Sequence, residues 1–272
     1  MKDSHAWTVL FVADIVGKPG LEITARLLPG LKEKYQPDLI IANGENGVNG
    51  KGLSEAVAKE YFELGINVIT GGNHIWENAE IYKIWQKAGR VLRPANYPPS
   101  NPGRGFLLFE LPDGATAAVI NLQGRTFMYP IDCPFRIADD ILRRLKSAAR
   151  LIVVDFHAEA SAEKMALGWH LDGRVSAVIG THTHVPTADE RILPGGTGYI
   201  TDVGMTGPFD SVIGMKKETA IKRFMRQVPM RFEVATNDNR LCALILKVNK
   251  KTAKTVSIER LCLTDSAAQA MS

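Results

Sequence analysis

Short apolar runs bounded by polar residues recur along the chain, with segments of helical spacing between them. Residues 7–13 (WTVLFVA), 38–43 (DLIIAN) and 67–71 (NVITG) read as buried strands. Residues 20–35 carry helical spacing through Leu21, Leu27, Leu28 and Leu31, and Pro29 predicts a kink or a second helix there. Ser54 is placed to cap a helix through Leu64, and a further helix is predicted over 77–88. FLLFEL (106–111) and TAAVINL (116–122) flank PDGA, a hairpin signal. A helix over 135–148, a strand over 151–156, a short helix over 161–169 and a strand over 175–180 follow. From 189 onward β dominates, in ERIL, GYITDV, MRFEVA, LCALILKV and KTVSIERL, with one helix near 216–226. A parallel α/β half followed by an antiparallel, β-rich half predicts two stacked sheets with helices outside. No repeat or low-complexity linker divides the chain, so one domain over 1–272 is expected, with its last few residues frayed.

Composition narrows the setting. The 272 residues are 45% hydrophobic and 23% charged, as in ordinary soluble globular proteins. A net charge of +4 without a long basic block neither signals nor excludes RNA as a partner. The three cysteines, Cys133, Cys242 and Cys262, are widely spaced and form no CxxC, which argues against a disulfide framework or a cysteine zinc site. The N-terminus lacks a signal-peptide pattern, and no run approaches the roughly 20 apolar residues a membrane helix needs. A cytoplasmic protein without a membrane partner is expected; a homo-oligomer is left open.

The candidate chemistry lies at the strand ends. Open α/β sheets bind ligands outside the carboxyl ends of their strands. Here those ends read Asp14, then Asn43-Gly44-Glu45-Asn46, Gly72-Asn73-His74, Asp155-Phe156-His157 and Gly180-Thr181-His182-Thr183-His184. Four of the six histidines fall there. Carboxylates, carboxamides and imidazoles on one rim suit Fe, Mn or Zn with N/O ligands. Taken singly each has a plainer reading: Asp14 as a helix cap, Asn73 and His74 as turn residues, Glu45 as a solvated loop carboxylate. Their joint occurrence, each time after a strand, favours the metal. The loop GENGVNGKG (44–52) is no P-loop, because Gly44 is one residue too far from Gly50-Lys51 and Gly52 stands where a magnesium-binding hydroxyl is needed.

The motif order D-I-V-G (14–17), N-G-E-N (43–46), G-N-H (72–74), F-H-A-E (156–159) and G-T-H-T-H (180–184) resembles the calcineurin-like metallophosphoesterases. Val16 stands where that superfamily has a histidine, and Glu45 where it has a bridging aspartate. Both departures are similar to the YmdB family, as are the longer blocks NGENGVNGKGLS, GGNHIW, LRPANYP, INLQGRTFM, DFHAEA, ALGW, GTHTHVPTADERILP and TDVGMTGP. The resemblance implies a four-layered α/β/β/α sandwich with a di-metal site. It also implies phosphodiesterase activity on 2′,3′-cyclic and 3′,5′-cyclic nucleotides, and a link to regulation of bacterial multicellular behaviour. Two divalent or mixed-valence ions are implied, iron above all, with manganese able to support activity.

On that resemblance, Asp14, Glu45, Asn46 and His184 are expected to hold one ion, and Glu45, Asn73, His157 and His182 the other, Glu45 bridging. Water activated between the metals would attack phosphorus, with His74 as general acid for the leaving sugar oxygen. Arg125, Thr206 and Ser211 are expected near the substrate, the last two in the glycine-rich TDVGMTGPFDSVIG loop. Trp76, Tyr129 and Trp169 are read as core packing, with stacking on a base as the alternative use. Two other functions remain open at this point: a nuclease or phosphomonoesterase using the same metals, and a regulatory or interaction protein whose metal site is not catalytic.

Overall fold

The computed structural model describes residues 4–145, 148–231 and 233–267. The predicted helix over 135–148 therefore lies outside the described residues at 146–147, as does the expected fraying over 268–272. In chain order the elements are β1 (Ala6–Val12), β2 (Asp14–Ile15), α1 (Gly17–Tyr35), β3 (Leu39–Asn43), α2 (Glu55–Glu63), β4 (Val68–Thr70) and α3 (Ile81–Lys87). Then come β5 (Phe106–Glu110), β6 (Thr116–Gln123), α4 (Pro134–Leu145), β7 (Leu151–His157), α5 (Ser161–Leu171) and β8 (Ala177–Thr181). The chain closes with β9 (Arg191–Ile192), β10 (Gly198–Ile200), β11 (Met205–Pro208), α6 (Lys217–Arg226), β12 (Asn239–Asn249) and β13 (Thr255–Thr264).

The strands form two sheets, β2-β11-β12-β1-β3-β4 with β13 on β12, and β5-β6-β7-β8-β10-β9. Three apolar layers show why strands such as β1, β3 and β7 are apolar at consecutive positions. Trp7, Val9, Phe11, Ile41, Val153 and Ile179 meet between the sheets. Leu10, Val12 and Ile40 face outward onto Ile23, Leu27 and Leu31 of α1. Val154 and Phe156 face Ile141 of α4 and Leu167 of α5. A strand covered on both faces has no polar face to alternate with. The result is the expected α/β/β/α order.

Three details differ from the sequence reading. Pro29 neither kinks the first helix nor starts a second, since α1 runs unbroken through it. It lies on the exposed face, as does Ala25, whose carbonyl loses its partner and is left to water. The described residues of MRFEVA form no strand: Val234 makes a lone bridge to Met215, and Glu233 and Ala235 are tied to residues 216 and 214. The C-terminal strands do not build a separate antiparallel half, because β12 lies antiparallel beside β1 and completes the first sheet. In each sheet the strands that carry the motifs run parallel, β1 with β3 and β4, and β6 with β7 and β8. Their carboxyl ends thus open on one rim.

Candidate metal centre

His157 ends β7 in register with Gln123 on one side and Thr181 on the other. Its Nδ1 lies 3.0 Å from Thr181 Oγ1, whose own hydroxyl donates to Asp155 Oδ1 at 2.7 Å. That hydroxyl oxygen is left to accept, so Nδ1 carries the proton and Nε2 turns toward the rim. Asp155 is further held by Thr70 and by Asn43 Nδ2. His182 is treated alike: its Nε2 meets Glu159 Oε2 at 3.1 Å, and its Nδ1 faces the rim. His184 donates from Nδ1 to the Ile213 carbonyl at 3.0 Å, which leaves Nε2 facing Asn46. In all three rings the outward nitrogen is fixed by an orienting partner, as metal-ligating histidines require.

The inward atoms crowd together. His157 Nε2 lies 2.9 Å from Glu45 Oε1, 3.1 Å from Asn73 Oδ1 and 3.0 Å from His182 Nδ1. One ring nitrogen cannot serve three partners by hydrogen bonding. Glu45, His157 and His182 each offer an atom within 4.8 Å of the others. Asp14 Oδ1 and Glu45 Oε1 are buried without a hydrogen bond, a costly state for a carboxylate oxygen. Such a set asks for positive charge at its centre, and its N/O donors fit a divalent transition metal. Ionisation shows the same demand. Burial opposes a charge on His157, yet Glu45, Asp14 and Asp155 prevail and raise it to about 9. Burial likewise opposes ionised Glu45, but His157 above all pulls it down to about 2. Burial, with His157 beside it, pushes His182 down to about 2, and burial raises Asp14 well above the usual carboxylate range.

His74 stands at the edge of this set. Its backbone N–H donates to Glu45 Oε2 and its Nδ1 meets Asn46 Oδ1, both at 2.9 Å. Burial lowers its pKa. Gly72, two residues before it, passes so close to the His157 ring that a Cβ would lie 2.0 Å from it. The turn after β8 is strained: His182 and His184 both have positive φ, 101° and 64°, a conformation that non-glycine residues hold only when the surroundings enforce it. The enforcing group is Asp202. Its Oδ2 accepts from Thr183 N at 3.0 Å, Thr183 Oγ1 at 2.7 Å and Lys164 Nζ at 2.6 Å, with Lys164 and Asp202 both buried. Asp14 Oδ2 adds a bond from His182 N at 2.9 Å.

Asp14, Glu45, Asn46, Asn73, His74, His157, His182 and His184 thus come together. Two predicted substrate contacts do not join them. Thr206 is fully buried, its hydroxyl bonded to the backbone of Cys242, because β11 turns that side chain into the sheet. Ser211 closes its own turn, donating to Pro208 O and accepting from Gly214 N. Arg125 is exposed, and its backbone N–H bonds Glu163. Trp76 packs on Trp85 and Tyr97 as expected, whereas Trp169 and Tyr129 are exposed rather than core. Tyr129 lines a groove of about 340 Å³ together with Phe127, Met128, Pro130, Asn73 and His182.

Sequence reasoning placed Asp155 and Glu159 beside His157 without making them ligands, and missed the orienting roles of these two and of Thr181, Asp202 and Lys164, and the exposed Phe127. For Lys164 a signal existed: it shares a helical stripe with Leu167 and Leu171, where a lysine needs a buried partner.

Comparisons with known proteins give the chain a family and close structural relatives. A family model described as "YmdB-like protein" matches residues 10–261. A 2′,3′-cyclic-nucleotide 2′-phosphodiesterase of Bacillus subtilis (strain 168) is 48% identical over 257 residues, 94% of this chain and 97% of that protein. The crystal structure of a novel phosphatase from Mycoplasma pneumoniae superposes with a TM-score of 0.90 at 36% identity, covering 99% of this chain and 98% of its own. A hypothetical protein from Thermus thermophilus superposes with a TM-score of 0.89 at 43% identity, over 94% of this chain and 99% of its own.

Proposed function

This chain belongs to the YmdB-like family, and on that premise we propose that it is a metal-dependent phosphodiesterase of small cyclic nucleotides. Nucleoside 2′,3′-cyclic monophosphates are its first substrate class, as the name of the Bacillus subtilis relative suggests, and 3′,5′-cyclic ones the second. The observation that carries this reading is the convergence of oriented imidazoles and unsatisfied carboxylate oxygens around one point. Asp14, Glu45, Asn46 and His184 would hold one cation, and Glu45, Asn73, His157 and His182 a second, with iron the native metal and manganese a working substitute. Held there, the cations would supply Lewis-acid charge for a phosphoryl group and lower the pKa of a water toward ~7.

The chain's own residues do the rest. His74 donates a hydrogen bond from Nδ1 to Asn46 Oδ1, so the proton free to reach a leaving sugar oxygen is the one its imidazolium carries on Nε2. Burial lowers its pKa, which makes its imidazolium a stronger acid. Phe127 and Tyr129 offer aromatic faces beside Asn73 and His182. Their loop is held at both ends, Gly124 N on His157 O and Arg125 N on Glu163 before it, Asp132 N on Asn96 O after it. Phe127 is 89% exposed in a left-handed conformation of φ 60°. An exposed, strained aromatic at this mouth serves as a platform for the nucleobase. Arg125, on the same loop, is the candidate phosphate contact. Among the described residues no helix is long and apolar enough to cross a membrane, and we place the enzyme in the cytoplasm.

The test couples metal analysis of freshly purified protein to a panel of cyclic nucleotides, linear phosphomonoesters and RNA. Turnover of cyclic nucleotides by metal-replete protein is expected, and Glu45→Gln should lower it at least ~100-fold with the fold retained. No metal and no turnover with added Mn²⁺, or a preference for monoesters, would sink the reading. Phe127→Ala should raise KM for nucleotides about tenfold, the scale of one base–aromatic stack. Ribose 2′,3′-cyclic phosphate has no base, so its KM should not move; an equal rise for both would exclude the platform.

A further inference from the structure

Cys242 and Cys262 stand directly opposite each other on β12 and β13. The backbone of Cys242 is turned away from β13. Its N–H donates to Thr206 Oγ1 at 3.2 Å, and its carbonyl accepts from Ala13 N at 3.0 Å and Thr206 Oγ1 at 3.1 Å. In an extended strand the N–H and C=O of one residue point to the same edge. Cys242 and Cys262 are therefore a non-hydrogen-bonded antiparallel pair, the closer of the two kinds, with Cα atoms about 4.5 Å apart. That spacing lies within the ~4.4–6.8 Å that a disulfide spans. Facing residues share a face of the sheet, so the two thiols lie side by side.

The two sulfurs differ in their surroundings. Cys242 is fully buried between the sheets. Cys262 lies partly buried on β13, which among the described residues pairs with β12 alone and so stands at the sheet's edge. Arg240, two residues before Cys242 on the same face of β12, and Arg260, two residues before Cys262 on the same face of β13, bring positive charge to the Cys262 sulfur. Arg240 is itself paired with Asp238 at 2.6 Å, and Arg260 lies 3.5 Å from Glu190. The neighbouring Cys242 thiol and these arginines hold the Cys262 thiol below the usual thiol range, whereas Cys262 and burial push Cys242 up. One partly exposed thiol beside one buried thiol is the arrangement of an attacking and a resolving cysteine.

We propose that Cys262 and Cys242 form a redox-active dithiol that reacts with low-molecular-weight disulfides. The Cys262 thiolate attacks one sulfur of the small disulfide, whose S–S bond breaks and whose other half leaves as a thiolate. The Cys242 sulfur, giving up its proton, then attacks Cys262 and expels the second half. Two cysteine thiols and one small disulfide become one protein disulfide and two small thiols. The protein loses two electrons and two protons, and the oxidant gains both. The closed form ties the edge strand β13 covalently to β12, the strand whose Cys242 carbonyl holds Ala13 next to Asp14.

The probe is oxidised glutathione, added in excess to reduced, metal-replete enzyme carrying Cys133→Ser. Intact mass should fall by two hydrogens without a retained adduct, dithiothreitol should restore it, and peptide mapping should join β12 to β13. Cys242→Ala should stop at a glutathione adduct on Cys262, and Cys262→Ser should stay unmodified. If Cys242→Ala does not fold, the mass and the peptide map of the Cys133→Ser enzyme decide alone. Unmodified protein, or an adduct that never closes, would overturn the proposal.

Discussion

His157 shows how one residue acquires a role from its neighbours. The chain Asp155–Thr181–His157 fixes the proton on Nδ1 and presents Nε2 to the rim, so ring chemistry is set before any ligand arrives. His74 differs, because its Nδ1 meets Asn46 and its backbone meets Glu45, which positions it without making it a ligand. His74→Ala is therefore expected to keep the metal content of the enzyme and to slow nucleotide hydrolysis by ~10²–10⁴-fold. A p-nitrophenyl ester, whose leaving group needs no proton, should lose much less; equal losses would remove His74 from the acid's role. The rim residues were legible in sequence because each follows an apolar run, and a strand's end is where a parallel sheet exposes side chains. Their orienting partners were not. Asp155 lies inside a strand, and Asp202 is brought in from β10's end, which nothing local announces; the helical stripe of α5 shows that Lys164 needs a buried partner but not which one. Thr206 misled for the opposite reason: a hydroxyl in a glycine-rich loop suggested access, while its strand pairing to Asp14 and Ile15 turned it inward.

The elements explain where the turn after β8 stores its strain. His182 and His184 keep positive φ because Asp202 gathers Thr183 and Lys164 onto one carboxylate oxygen. A buried charge that loses its partner costs ~3–5 kcal/mol. Lys164→Met should therefore lower unfolding free energy by about that much and weaken metal retention, and Asp202→Asn in the same background should recover part of the stability. A loss below ~1 kcal/mol in urea titration would mean that Asp202 does not depend on Lys164. The strands and most helices were legible from continuous apolar runs and from the Ser54 cap, whose hydroxyl accepts from Val57 N. What sequence could not place was the return of β12 to β1, a pairing between the two ends of the chain. Local pattern carries no signal for such a contact. MRFEVA has strand-like composition, but Glu233 and Ala235 spend backbone bonds on residues 216 and 214 rather than on a ladder.

At the scale of the whole molecule, the candidate ligands divide between the two sheets. Asp14, Glu45, Asn46 and Asn73 follow strands of the first, and His157, His182 and His184 those of the second. Bound cations would pin the layers to each other at the rim, beyond the apolar contact that already joins them. Removing metal with a chelator should lower the unfolding free energy, by about 2.7 kcal/mol relative to protein holding free metal at a hundredfold excess over Kd. Far- and near-ultraviolet probes should report one coincident transition if residues 1–272 are a single cooperative domain. A melting temperature indifferent to chelation would show that the layers do not need the ions. The division has a further consequence. A cell starved of metal would lose the protein itself as well as its turnover, since a looser sandwich opens more often to proteases. Its abundance would then serve as a record of metal supply.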